Sequence, residues 1–177
     1  MATSASIQFI RNATLILHYN GKKILVDPMF FPKGAFDPIA GKERNPMIDL
    51  PISVDEMVKD IDMVLVTHTH PDHFAPVAME ALNKSIKLFN QPADEAYFKN
   101  ANFTNAETIT DSIVWNGITI YRTVGEHGSG EVLQHMGTVS GFILKAENQP
   151  TIYIVGDSVW ISEVEEAIQQ FKPDYIV

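Results

Sequence analysis

Short apolar runs dominate the first third of the chain and predict β-strands. The segments SIQFI, TLILHYN and KKILVDP have strand-like lengths, and Asn20-Gly21 between the last two is a turn pair typical of a tight hairpin. Residues 28–51 contain five prolines and two glycines, which predicts a long loop. The sequence SVDE at Ser53–Glu56 is a capping box, so a short helix is expected to run from it through Val58.

The middle of the chain mixes strand and helix patterns. The run MVLVT at residues 63–67 predicts a buried strand, SIKLF predicts another, and PADEAYFKN predicts a helix beginning at Pro92. Between the two strands the apolar positions have the spacing of one helix face: Phe74, Val77, Ala78, Ala81 and Leu82.

The second half is again rich in strand patterns: ETIT, SIVW, ITIYRTV, TVSGFILKA and TIYIV. SVWISEVEEAIQQF then predicts an amphipathic helix whose buried face is expected to comprise Trp160, Ile161, Val164, Ala167, Ile168 and Phe171. This order indicates an α+β protein with a single domain over residues 1–177. Because the apolar strand PDYIV stands last, we expect the natural protein to continue beyond Val177.

Composition limits the chemistry and the partners. The formal charge of −9, from 13 Lys and Arg against 22 Asp and Glu, argues against nucleic acid as the partner. With no cysteine, any metal site must use imidazole and carboxylate ligands. We find no signal peptide and no apolar run near the roughly 20 residues that span a bilayer. We therefore expect a cytoplasmic protein without membrane contact.

The segment VLVTHTHPDHF concentrates potential metal ligands at the end of a predicted strand. His68 and His70 lie two residues apart, so in an extended chain they point to the same side. Asp72 and His73 follow Pro71 at the predicted helix start and are expected to point back toward them. Four donors exceed the three that an open tetrahedral site uses, which favours two neighbouring ions. The alternative is a helix-capping Asp72 with solvent-facing histidines.

Other segments supply further candidate ligands. His127 has three glycines within three residues, so its backbone can approach an ion closely; the alternative is a histidine in solvent. Asp157 follows the strand TIYIV and is either a ligand or a helix cap. His135 is the rival third histidine ligand but is expected to be a surface or pocket residue, and His18 is expected to be structural. Asp27 is expected to orient a ligand histidine, with turn capping as the alternative.

With these motifs the sequence resembles the metallo-β-lactamase fold superfamily over most of its length. ILVDP is similar to the first family motif, THTHPDH to the second, TVGEHGSG to the third and IYIVGDS to the fourth. The resemblance implies a four-layer αβ/βα sandwich, here C-terminally incomplete, because no residue matches the fifth-motif histidine. It also implies a first ion on His68, His70 and His127, a second on Asp72 and His73, and Asp157 bridging both.

The branch that looks most similar contains ascorbate-phosphate lactonase-like hydrolases. The GKKILVDP opening and the Pro/Gly-rich loop carry this likeness, whereas Arg11-Asn12 stands where that branch often has Gly-His. We therefore hypothesise a metal-dependent hydrolase of a small ester, lactone or phosphoester, with anionic substrates compatible. Two cations would lower the pKa of a shared water and hold the hydroxide, and Asp72 would orient this nucleophile and take its proton. Zinc is the first choice, with manganese and iron as alternatives.

Three other functions fit parts of the pattern. A nuclease on the same fold would need a basic stripe, but the Lys and Arg residues are scattered. A non-catalytic metal-binding scaffold would fit an incomplete second ion site. A redox di-iron protein would be expected to carry more carboxylate ligands. If the chain does stop at Val177, exposed apolar surface would favour a homo-oligomer.

Overall fold

A computed structural model describes residues 5–38 and 41–177. Residues 1–4, where no signal peptide is predicted, and residues 39–40 of the long loop lie outside this part. One sheet has the order β1-β2-β3-β4-β5-β6, formed by β1 (Ser6–Arg11), β2 (Thr14–Tyr19), β3 (Lys22–Val26), β4 (Met63–Leu65), β5 (Lys87–Asn90) and β6 (Ala106–Thr108). The other has the order β11-β10-β9-β8-β7, formed by β7 (Ser112–Trp115), β8 (Ile118–Glu126), β9 (Thr138–Ala146), β10 (Ile152–Ile154) and β11 (Tyr175–Ile176). The α-helices are α1 (Val54–Val58), α2 (Pro76–Ala81), α3 (Glu95–Asn100), α4 (Glu131–Met136) and α5 (Ser162–Phe171).

The predicted local signals are confirmed. Strands β2 and β3 pair antiparallel, and Asn20 and Gly21 between them have φ values of 50° and 72°, which favour these residue types. Ser53 and Glu56 form both bonds of the capping box at the start of α1. Strands β3 to β6 pair in parallel, so their carboxyl ends meet at the same edge of the sheet.

Apolar side chains on both faces of the strands bury both sides of each sheet. In β2, Leu15 and Leu17 join a core that also contains Phe142 of the second sheet, whereas Ile16 joins a core with Phe98 of α3. A third cluster joins the second sheet to Val164 and Ala167 of α5. Each buried Leu, Ile, Val or Phe side chain of these clusters contributes about 1.5–3 kcal/mol. The layers are therefore helix, sheet, sheet and helix, which confirms the four-layer sandwich.

Two predicted helices begin later than expected. The helix α3 begins at Glu95 rather than at Pro92, because residues 92–94 form a 3-10 turn. The helix α5 begins at Ser162 rather than at Ser158, and Trp160 is 71% exposed instead of facing the core. The hydroxyl of Ser158 accepts from the backbone N–H of Glu126, and the backbone N–H of Val159 donates to the carbonyl of Glu126. Because these bonds hold residues 158 and 159 against β8, the helix starts only after them. The helix α4 was not predicted.

Arg11 orders the long loop that the prolines predicted. Its buried guanidinium donates to the carbonyl of Ile48 at 2.8 Å and to that of Phe31 at 2.6 Å, so one side chain joins the two ends of the loop. Within the loop, Phe36 and Asn45 form an isolated antiparallel bridge. Arg11, one of the two residues that depart from the lactonase-like pattern, thus has a structural role.

Candidate metal centre

Strand ends from both sheets bring the candidate ligands together. His68 and His70 follow β4, whose carboxyl end lies beside that of β3, and Asp27 directly follows β3. In the second sheet His127 directly follows β8, and Asp157 follows β10. Loops after strands can place polar groups at a sheet edge without disturbing the apolar faces.

The first group of potential ligand atoms consists of His68, His70 and His127. One atom from each of these side chains lies within 4.8 Å of the others. The ring of His68 is 4.5 Å from that of His70 and 5.7 Å from that of His127, measured between centroids. The structure thus brings together the three histidines that the family resemblance assigns to one ion.

The second group consists of His68, His73 and Asp157, again within 4.8 Å. The Asp157 carboxylate lies 3.0 Å from His73 Nε2 through one oxygen and 3.5 Å from His127 Nε2 through the other. Asp157 therefore contacts histidines of both groups, as a bridging ligand would. His68 belongs to both groups, which the sequence had not suggested. Asp72 is partly buried and belongs to neither of the two groups found among the described residues.

Asp27 orients the ring of His73. Its carboxylate accepts from the backbone N–H of Thr67 at 2.8 Å, from the Thr67 hydroxyl at 2.7 Å and from His73 Nδ1 at 2.9 Å. Because an ionised carboxylate only accepts hydrogen bonds, His73 carries a proton on Nδ1 and turns Nε2 toward Asp157. This is the orienting contact with a candidate ligand histidine that the sequence predicted for Asp27.

The same hydrogen bonds determine the tautomer of His68. The Thr67 hydroxyl donates to Asp27, so its oxygen, 3.1 Å from His68 Nδ1, accepts a hydrogen bond from the N–H of that ring. The free electron pair of His68 is then on Nε2, which is buried and has no hydrogen-bond partner among the described residues. His127 Nδ1 is also buried, and no residue of 5–38 or 41–177 forms a hydrogen bond with it. Buried polar atoms are nearly always paired, and a cation in this imidazole and carboxylate set would pair with both nitrogens.

The pKa values of His68 and His73 are shifted in opposite directions. Burial, together with the neighbouring His73 and His70 rings, lowers the pKa of His68 to about 2. Burial also lowers the pKa of His73, but the carboxylates of Asp27 and Asp157 outweigh it and raise that pKa to about 10. The hydrogen bond from His73 lowers the pKa of Asp157. In the metal-free protein at neutral pH, His73 is therefore the protonated ring, whereas His68 is neutral and so able to bind a cation.

The other singled-out histidines lie elsewhere. His18 on β2 and His135 on α4 are exposed, and neither belongs to the two groups of the described residues. Sequence reasoning missed Gln91 and Asp94, which are buried just beyond the carboxyl end of β5. Their position after a strand next to β4 was the available signal, because parallel strands end at one edge.

A family model for the beta-lactamase superfamily domain matches residues 6–177. The chain belongs to the beta-lactamase superfamily. The UPF0173 protein YddR of Bacillus subtilis is 40% identical, over 97% of this chain and 70% of its own. A crystal structure from Veillonella parvula, described as a possible metal-dependent hydrolase, has 36% identity and a TM-score of 0.93, with coverage of 99% of this chain and 71% of that one. An isothiocyanate hydrolase from gut bacteria of Delia radicum has 37% identity and a TM-score of 0.89, with coverage of 96% and 69%.

These comparisons confirm the predicted family, fold and enzyme class. The protein is a metal-dependent hydrolase, and its histidine and aspartate groups are the candidate metal site. Among the described helices, none has the length and apolar character needed to cross a membrane.

Proposed function

We propose that this superfamily member hydrolyses a small ester, lactone or phosphoester with two divalent cations held by His68, His70, His73, His127 and Asp157. The observation that carries this proposal is the pair of ligand groups that share His68 and include two buried imidazole nitrogens with no hydrogen-bond partner in the described part of the chain. Zinc is the first choice for such an imidazole-rich set, with manganese and iron as alternatives. Asp157 would join the two ions, since its two oxygens approach His73 and His127 separately.

A cation bound here supplies an activated water near neutral pH and polarises the bond to be cleaved. The protein's own groups prepare that chemistry. Asp27 hydrogen-bonds to Nδ1 of His73, and Thr67 hydrogen-bonds to Nδ1 of His68. The Nε2 atom of each ring is then left available for a cation. For Asp72, the third residue of the HPDH turn, we propose the predicted role of orienting the nucleophile and taking its proton.

An isothiocyanate is the second candidate substrate. It is favoured by the 37% identity to an isothiocyanate hydrolase over 96% of this chain. The central carbon of an isothiocyanate is electrophilic, as a carbonyl carbon is, so water attack from the same site suits both. A small-molecule substrate rather than nucleic acid is further supported by the net charge of −9. A cytoplasmic location stays a prediction.

The test compares metal content and turnover in the same samples. Protein loaded with zinc, manganese or iron(II) is assayed against an aryl ester, a lactone, a phosphodiester and an isothiocyanate. His68→Ala removes the imidazole common to both groups, so we expect bound metal and turnover to disappear together. His18→Ala, at an exposed position on β2, is the matched control and should retain both. A His68→Ala protein that keeps its metal and its activity would refute the proposal.

A further inference from the structure

A buried carboxylate lies beside the tripeptide that carries two of the candidate ligands. Asp94 is 8% exposed and accepts a hydrogen bond of 2.7 Å from the hydroxyl of Thr69. Thr69 stands between His68 and His70, so this bond restrains the backbone that places both imidazoles. Burying a carboxylate is costly unless hydrogen bonds compensate it.

On its other side Asp94 is connected to the second sheet. Gln91, which is 1% exposed, donates from Nε2 to Asp94 at 2.9 Å and to the carbonyl of Thr138 at 2.7 Å. Its Oε1 accepts from the hydroxyl of Ser140 at 2.9 Å. Both hydrogens and the oxygen of the Gln91 amide are therefore used, which leaves it a single orientation.

Thr138 lies opposite the end of the strand that leads to His127. In the pairing of β8 with β9, Thr138 is the partner of Glu126, the residue before His127. A continuous line of hydrogen bonds thus runs from Thr69 through Asp94 and Gln91 to the strand pair that carries the third histidine. It joins the two sheets at the site.

We propose that Gln91 and Asp94 are positioning residues, which set the distance between the His68–His70 tripeptide and His127. The proposal rests on the proposed metal site and adds to it the part that aligns its two halves. Metal ligands need to be held within about 0.5 Å of the productive geometry by such supporting contacts. Loss of supporting hydrogen bonds of this kind typically weakens metal binding roughly 10–100-fold.

The decisive comparison uses two substitutions of one residue. Thr69→Val keeps the shape of the side chain but removes its hydroxyl, whereas Thr69→Ser keeps the hydroxyl. In competition with a chelator, we expect Thr69→Val to bind Co²⁺ roughly 10–100-fold more weakly than the unmodified protein, with an altered visible absorption band. Thr69→Ser should retain both the Co²⁺ affinity and the absorption band of the unmodified protein. A metal-free unfolding temperature that is similar in the two variants shows that the effect is local.

A second pair tests the other end of the line. Gln91→Glu replaces the amide donor with an oxygen that faces the Asp94 carboxylate and the Thr138 carbonyl, so it should also lose Co²⁺ affinity. Gln169→Glu, at an exposed glutamine of α5, is the matched control and should not. If the unmodified protein binds no Co²⁺, the proposed function fails. If it binds Co²⁺ and Thr69→Val binds equally well, or if Thr69→Ser is as weak as Thr69→Val, only the positioning role is overturned.

Discussion

Replacing Asp27 with asparagine tests the hydrogen bonds behind the candidate metal centre. Asp27 is 1% exposed, and its two oxygens accept from the Thr67 backbone, the Thr67 hydroxyl and the His73 ring. Asparagine has the same shape but only one oxygen. If that oxygen faces the Thr67 N–H, the new amide N–H₂ faces His73 Nδ1 and forces the ring proton onto Nε2. The nitrogen that should bind metal is then blocked.

The size of the stability loss follows from the hydrogen bonds that a single oxygen can no longer accept. Leaving a single buried donor unpaired costs about 1–3 kcal/mol. For a chain of this size, each kcal/mol corresponds to about 2–4 °C in unfolding temperature, so we expect metal-free Asp27→Asn to melt about 2–12 °C lower. Metal affinity should fall in addition, by roughly 10–100-fold.

Two measurements on the same variants decide the outcome. Circular dichroism in the presence of a chelator gives the unfolding temperature, and competitive zinc titration gives the affinity. Asp62→Asn is the matched control, because the Asp62 carboxylate also accepts a backbone N–H, from Lys23, and a side-chain donor, Lys22, but outside the two ligand groups. If Asp27→Asn loses no more zinc affinity than Asp62→Asn, the orienting role assigned to Asp27 is wrong.

Three further predictions concern the proton on His73, the sheet interior and the loop before α5. Since the pKa of His73 is raised to about 10, the His73 ring is protonated at neutral pH. Zinc binding at about pH 8 should therefore release a proton, and zinc affinity should rise as the pH is raised toward 10. A titration without proton release contradicts this prediction. Gly141→Ala would place a Cβ 2.8 Å from the carbonyl oxygens of Ile154 and Val155, so we expect a loss of about 1–3 kcal/mol in denaturant unfolding, and a neutral result would contradict the close packing. Trp160→Ala should change the free energy of unfolding by less than about 0.5 kcal/mol, because Trp160 is 71% exposed, and a large loss would place it in the core.

Features that depend on neighbouring residues were predictable from the chain alone. The Asn20-Gly21 turn and the capping box at Ser53 form through contacts between residues a few positions apart, and both occur where predicted. The apolar face of the last helix was correct from Ile161 onward, because Val164 and Ala167 are buried. The run of potential metal ligands in THTHPDH was likewise recognisable from the sequence alone.

Other features depend on which strands become neighbours. Three findings follow from the order of strands and the pairing of β8 with β9. His68 lies in both ligand groups, Asp157 approaches both His73 and His127, and Gln91 joins the two sheets. Hydrogen bonds between Glu126 of β8 and residues 158 and 159 hold the segment after Asp157 against that strand, which delays α5 and leaves Trp160 exposed. Local sequence determines periodicity and capping, since these arise within a few residues. Distances between ligands far apart in the chain are set only when the sheets pack. The hydrogen bonds that hold those ligands join segments that follow different strands, such as Asp27 after β3 and Thr67 after β4.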